Sequence, residues 1–217
     1  MIVMKKHLFA LALAALMAVG AMAQENRTKI SVDAGPQWNS ELGFKAGADV
    51  LIPLGNSRWG FEPGLYWSYR HAAADHSGDG KKEEFDDKLH YLKLPLLFNV
   101  RAAGREDGAF KMSFLFGPYF AYGLDGTSHC TMMKDGEQTK FEAGAFSDEG
   151  RLESRVDYGL EFGVDAVIRK HFKVGVFTEI GLKDIYRPNG FFEDLLGDLF
   201  GVTKVNIGAG ISLGYQF

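Results

Sequence analysis

The side chains able to do chemistry in this chain are few and widely spread. His71, His76, His90, His129 and His171 are candidates for acid-base work, and two of them have a serine nearby, Ser68 for His71 and Ser128 for His129. On an extended backbone, residues one or three apart point to opposite faces, so neither pair is spaced for nucleophilic catalysis. No set of nucleophile, base and orienting group can be assembled, and the sequence assigns no catalytic residue, implies no cofactor and places an enzyme third among the readings. The stretch DHSGDGKKEEFD comes nearer to a site. Asp75, Ser77, Asp79 and Asp86 put oxygen ligands at positions a calcium loop would use, with Gly80 for the turn. The twelfth residue is Asp rather than a bidentate Glu, and strand-like sequence flanks it, so a solvated acidic loop is the preferred reading. A third set, Lys45, Asp49, Glu62, Lys93, Glu161, Asp165, Lys173 and Glu179, consists of charges embedded at alternate positions in otherwise apolar segments.

That embedding defines the elements that must hold the charges. From residue 29 onward apolar residues recur with period two in eight segments, 30–38, 44–54, 59–69, 92–100, 110–122, 156–168, 172–182 and 205–217. The opposite parity carries the charges and many of the 27 glycines, and no charged residue falls on the apolar parity of any segment. One shared apolar face fits a soluble barrel or sandwich with that face inward. It equally fits a membrane barrel with that face toward lipid and a polar lumen. Three features favour the membrane barrel. Glycine crowds the polar face, as a narrow lumen needs to make room for charged neighbours. Aromatics such as Trp59, Phe61, Trp67 and Tyr69 sit near segment ends, as interfacial girdles do. Connections alternate in length: GNSR, AAGREDGA and RKH are short, while 71–88, 125–154 and 184–204 are long and polar. With both chain ends periplasmic, every long connection lies outside the cell. The predicted fold is all-β: an eight-stranded antiparallel up-and-down transmembrane barrel, closed because lipid tolerates no unpaired edge.

The chain start agrees with export. Lys5 and Lys6 precede an apolar stretch and the small-residue triplet Ala21-Met22-Ala23, the layout of a signal peptide over 1–23, leaving 24–217 as the barrel domain. The remaining 22 basic and 28 acidic residues give a net charge of −6, which offers nucleic acid no general attraction. A single cysteine, Cys130, excludes an internal disulfide.

YLKLPLLF, with FGPYFAYGL and VDYGLEFGV after it, resembles the signature strands of the PorT-like outer-membrane β-barrel family of Bacteroidetes-type bacteria. The closing GYQF, with Tyr215 and Phe217, is similar to the terminal strand by which barrel-assembly machinery recognises its clients. The resemblance implies residence in the outer membrane of a Gram-negative bacterium, with outer-membrane lipid and the assembly machinery as partners. One branch of the family is implicated in secretion, and no residue here carries that role across.

An eight-stranded barrel is just wide enough for side chains to fill it, so the embedded charges are expected to pair into a buried network rather than line a channel. Function then falls to the external loops, as a structural or surface-interaction role with a possible protein partner. A transport- or secretion-associated barrel is the alternative, and a lipid-modifying enzyme or protease the third. In the last loop Phe192, Leu195, Leu196 and Leu199 are spaced as a short amphipathic helix over 191–200. Pro95 removes a donor from an edgeless ladder, so a local bulge or a substitute partner is expected there.

Overall fold

Alternation of period two becomes inside and outside when strands are extended, because successive side chains leave opposite faces of a sheet. The computed structural model describes residues 28–78, 81–105, 108–134, 137–148, 152, 154–183 and 206–217, and every regular element among these residues is a strand. They are β1 (Lys29–Trp38), β2 (Leu42–Pro53), β3 (Trp59–Gly78), β4 (Lys81–Gly104), β5 (Phe110–Lys134), β6 (Glu137–Gly144), β7 (Val156–Ile168), β8 (Phe172–Gly181) and β9 (Asn206–Gln216). All pairings are antiparallel. The β4–β5 and β1–β9 pairings close β1, β2, β3, β4, β5, β7, β8 and β9 into an eight-stranded up-and-down barrel. The ninth strand, β6, lies outside the ring and pairs with the far end of β5.

The two parities separate as the sequence pattern requires. Large apolar residues face out, among them Ile30, Phe44, Phe114, Val176, Ile211 and Leu213, the last 64% exposed. Charged residues face in: Arg70 is 2% exposed and Lys93 fully buried. A charged interior with an apolar exterior is stable only where the surroundings are apolar, which selects the membrane barrel over the soluble one. Aromatic belts mark both rims. Trp67 and Tyr69 pack on His90 at one, and His171, Phe172, Tyr215 and Phe217 pack together at the other.

Both described chain ends and the three short turns share one rim, where the Phe217 N–H donates to the Ile30 carbonyl at 2.8 Å. The β7–β8 turn places Arg169 and Lys170 at φ 51° and 70°. Two successive positive values mark a primed hairpin turn, whose twist matches the strands it joins.

Two expectations need correction. The segments 71–88 and 125–154, read as polar loops, extend the strands instead: β3, β4 and β5 run for 20, 24 and 25 residues, against 10 to 13 for β1, β2, β7, β8 and β9. With β6 they form a four-stranded sheet rising about 25 Å above the ring, at roughly 3.3 Å per residue. On its outward face Asp86, His129 and Glu142 pair across three strands, so that face carries no apolar alternation. The sheet's ladder continues the pairing begun in the barrel, with one register shift at His90/Tyr91 between β4 and β5. The second correction concerns Pro95. The register shifts of the β4–β5 pair fall at His90/Tyr91 and Arg101/Ala103, and Pro95 faces Tyr119 in register. The ladder opens instead toward β3, where Gly64 and Leu65 are skipped between the Pro63–Leu96 and Tyr66–Lys93 pairs.

Candidate functional site

The barrel interior is the most densely functionalised part of the molecule. All eight charges singled out above face it, from five strands: Lys45 and Asp49 on β2, Glu62 on β3, Lys93 on β4, Glu161 and Asp165 on β7, and Lys173 and Glu179 on β8. Toward the short-turn rim, the Lys173 ammonium lies 2.7 Å from Asp49, 2.8 Å from Glu62, 3.0 Å from Asp165 and 3.8 Å from Asp33. The Tyr66 hydroxyl sits 2.7 Å from Asp49 and 3.0 Å from Asp33, and Asn99 donates to Glu62.

A second network stands above the first. Lys93 bonds Glu161 at 2.5 Å and also Glu179; Lys45 reaches Glu161 at 3.4 Å; and Arg70 spans from Glu179, at 3.3 Å, to Asp157, at 2.6 Å. Aromatic faces complete the cation environments. Lys45 lies 3.5 Å over Phe177, Lys93 4.7 Å over Tyr119 and Arg70 4.6 Å beneath Tyr91. Ammonium and guanidinium groups so enclosed hold water out while keeping their carboxylate partners. Asp33, Arg70 and Asp157, with Tyr66 and Tyr119, were not singled out from the sequence as network members. All five sit on the inward parity, and a tyrosine there was the available signal.

At the opposite rim the lumen is closed by apolar packing. Leu89, Tyr91, Tyr119 and Ala121 cluster with Ala145 and Leu152, which follow β6, and Phe146 packs against them. The Leu152 N–H donates to the Ala145 carbonyl at 3.1 Å, Phe146 meets Tyr91 edge to face at 6.0 Å, and Arg155 lies 4.7 Å over the Phe146 ring. Gly123 makes room: a Cβ there would fall 2.2 Å from that ring. Gly123→Leu should therefore expel Phe146 from the mouth. Chymotrypsin added to whole cells should cut after residue 146 in the variant and leave that bond intact in the natural chain.

Beneath this closure, the cavity beside the Lys173 cluster measures about 30 Å³, room for a few water molecules at most. Among the described residues, ion pairs stacked under an apolar stopper fill the interior with side chains.

The remaining candidates scatter. The proposed calcium stretch lies in the β3–β4 arm, where Asp75 pairs with Glu84 across an antiparallel ladder. The side chains of Asp75 and Ser77, and all of Asp79, lie outside the described residues. Asp86 faces His71, at 2.9 Å. Among the described residues no three His, Cys, Asp or Glu side chains converge as a metal site. Ser68 bonds Gln37 inside the barrel while His71 faces out, and Ser128 is buried while His129, 3.6 Å from Glu142, faces out. Tyr215 and Phe217 pack outward on the short-turn rim, 5.0 Å apart. The 191–200 segment lies outside the described residues.

The sequence matches the family described as "Outer membrane protein beta-barrel domain" over residues 15–187. No curated protein matches it. Among solved structures it is similar to a major outer membrane protein from Thermus thermophilus, at 16% identity and TM-score 0.43, covering 88% of this chain and 99% of that one. It is also similar to Ail, the attachment invasion locus protein of Yersinia pestis, at 12% identity and TM-score 0.36, covering 88% and 97%. The outer membrane enzyme PagL is a further neighbour, at 14% identity and TM-score 0.39, covering 87% and 98%.

Proposed function

Since the chain belongs to the outer membrane protein β-barrel domain family, we propose that it is a non-conducting, non-enzymatic barrel whose work is to hold a surface-exposed sheet for interaction with a protein partner. In this reading the chain is exported with cleavage of 1–23, the short turns face the periplasm, and β3 to β6 rise from the cell surface. The YLKLPLLF strand supports a place in the PorT-like branch.

The observation that carries the reading is the division of labour along β3, β4 and β5. Their lower halves contribute Glu62, Arg70, Lys93 and Tyr119 to a filled interior, while their upper halves continue as paired strands with nothing to enclose. Among the described residues, side chains fill the lumen, Ser68 and Ser128 face inward while His71 and His129 face outward, and the backbone ladder of β3, β4 and β5 extends outward, all of which support this reading.

The outward face of the sheet is well suited to a polar partner. Asp86, His129 and Glu142 stand side by side across three strands, with Lys88 and Lys140 nearby. Planar-bilayer recording of the refolded protein should show no steady conductance. A stable open level of general-porin size would overturn the reading.

A further inference from the structure

The outer wall of the barrel is not smooth. Between β5, β7 and β8 lies an open, shallow recess of about 600 Å³, lined on the lipid side by Phe114, Phe116, Phe162, Val164, Val176 and Thr178. It arises from side-chain size along two cross-strand rows, Phe114–Val164–Val176 and Phe116–Phe162–Thr178. Phenylalanines form the walls, and the shorter Val164, Val176 and Thr178 leave the floor low. The one hydroxyl in the recess, that of Thr178, already donates to the Gly208 carbonyl at 3.1 Å, so the lining asks for no polar partner. The recess therefore accepts hydrocarbon and nothing that needs a hydrogen bond.

Its place on the barrel identifies the hydrocarbon. Val164 and Phe162 stand four and six residues above Ile168, the last residue of β7 at the short-turn rim. At about 3.3 Å per residue and a tilt near 40°, this puts the recess roughly 10–15 Å above that rim. The turn joining the same two strands, β7 and β8, is Arg169-Lys170-His171, and Arg169 and Lys170 are exposed there. Its backbone is fixed by the Arg169 N–H, which donates to Ala109 at the foot of β5 at 2.6 Å. An apolar slot thus stands above a turn bearing two exposed cations, Arg169 and Lys170, separated by the length of the upper part of a fatty-acyl chain. Guanidinium and ammonium groups at a membrane surface attract anionic headgroups.

We propose that β5, β7 and β8 form a binding site for one anionic phospholipid of the periplasmic leaflet, with an acyl chain in the recess and its phosphate against Arg169 and Lys170. The site is independent of whether the lumen conducts and of what the external sheet binds; it requires only the barrel and its orientation.

The test is native mass spectrometry of the full chain in mild detergent, titrated with phosphatidylglycerol, and in parallel with phosphatidylethanolamine and with lipopolysaccharide. One phosphatidylglycerol should be retained per chain, in clear preference to the zwitterionic lipid. Val164→Trp, which fills the recess, should weaken retention at least tenfold. The double variant Arg169→Asn/Lys170→Gly should do the same, and Asn-Gly suits the turn so closely that the hairpin is preserved. Val32→Trp, outward-facing on β1 across the ring, should retain the lipid as the natural chain does, with heat-modifiable gel mobility reporting folding in every case. Equal retention in Val164→Trp, equal retention of phosphatidylethanolamine, or preferential retention of lipopolysaccharide would each overturn the proposal. So would a dimer of the natural chain that Val164→Trp dissociates, which would make the recess a contact between copies.

Discussion

Lys173→Met is expected to destabilise the barrel by about 3–5 kcal/mol, the cost of breaking a buried ion pair by removing one partner. The reason lies in the arrangement: one ammonium faces Asp33, Asp49, Glu62 and Asp165, all within 3.8 Å. Methionine keeps the volume and removes the cation that bonds these four carboxylates directly. Urea titration in phospholipid vesicles, followed by heat-modifiable gel mobility, measures the loss. Neutralising two of the stranded partners in the same chain, with Asp49→Asn and Glu62→Gln, should recover part of it, because the penalty belongs to unpaired charge rather than to the missing lysine. An unchanged midpoint in Lys173→Met would show that the cluster contributes nothing to stability.

The second large effect is on the outer surface. Ile211→Arg, on β9 and 44% exposed, places a cation in the middle of the lipid-facing band, where it should cost about 2–4 kcal/mol. Ile30→Arg, on β1 and 51% exposed, lies at the short-turn rim, where the same substitution should cost about 0–1 kcal/mol. The two positions are almost equally exposed, so only depth in lipid separates them. On a water-facing surface both would fall within about 0.5 kcal/mol of the natural chain. The same urea titration decides: equal midpoints for the two variants would put that face in water.

The part of this architecture that could be read from residues was the part where lipid enforces it. Ile207, Ala209, Ile211, Leu213 and Tyr215 must all face out, while Gly208, Gly210, Ser212, Gly214 and Gln216 face in, because one face meets hydrocarbon and the other a crowded interior. That constraint left the strands of the ring and the eight chosen charges legible. It lapses above the membrane. In the sheet formed by β3 to β6, Asp86 pairs with His129 and His129 with Glu142, so polar residues face polar residues and no hydrophobic period announces a strand. Individual partners were illegible for a different reason. Parity states that Arg70 faces inward, but its bonds to Asp157 and Glu179 depend on how far the strands stagger around the ring, and stagger leaves no mark on alternation. Pro95 shows the same limit. Its missing donor was evident, whereas the way the ladder accommodates it depends on which neighbour it faces.

The interior ion pairs also have a place in time. Lys45, Asp49, Glu62, Arg70 and Lys93 come from the first half of the chain, while Asp157, Glu161, Lys173 and Glu179 come from the second, and the bonds between them join residues 68 to 124 positions apart. Contacts that distant cannot guide the early pairing of neighbouring strands, since loop closure must precede them. They are expected to form once the ring is nearly shut, after the folding transition state, which puts their weight on the rate of opening. The charged interior is in this sense a latch: it does little to speed the chain into the membrane and much to slow its departure.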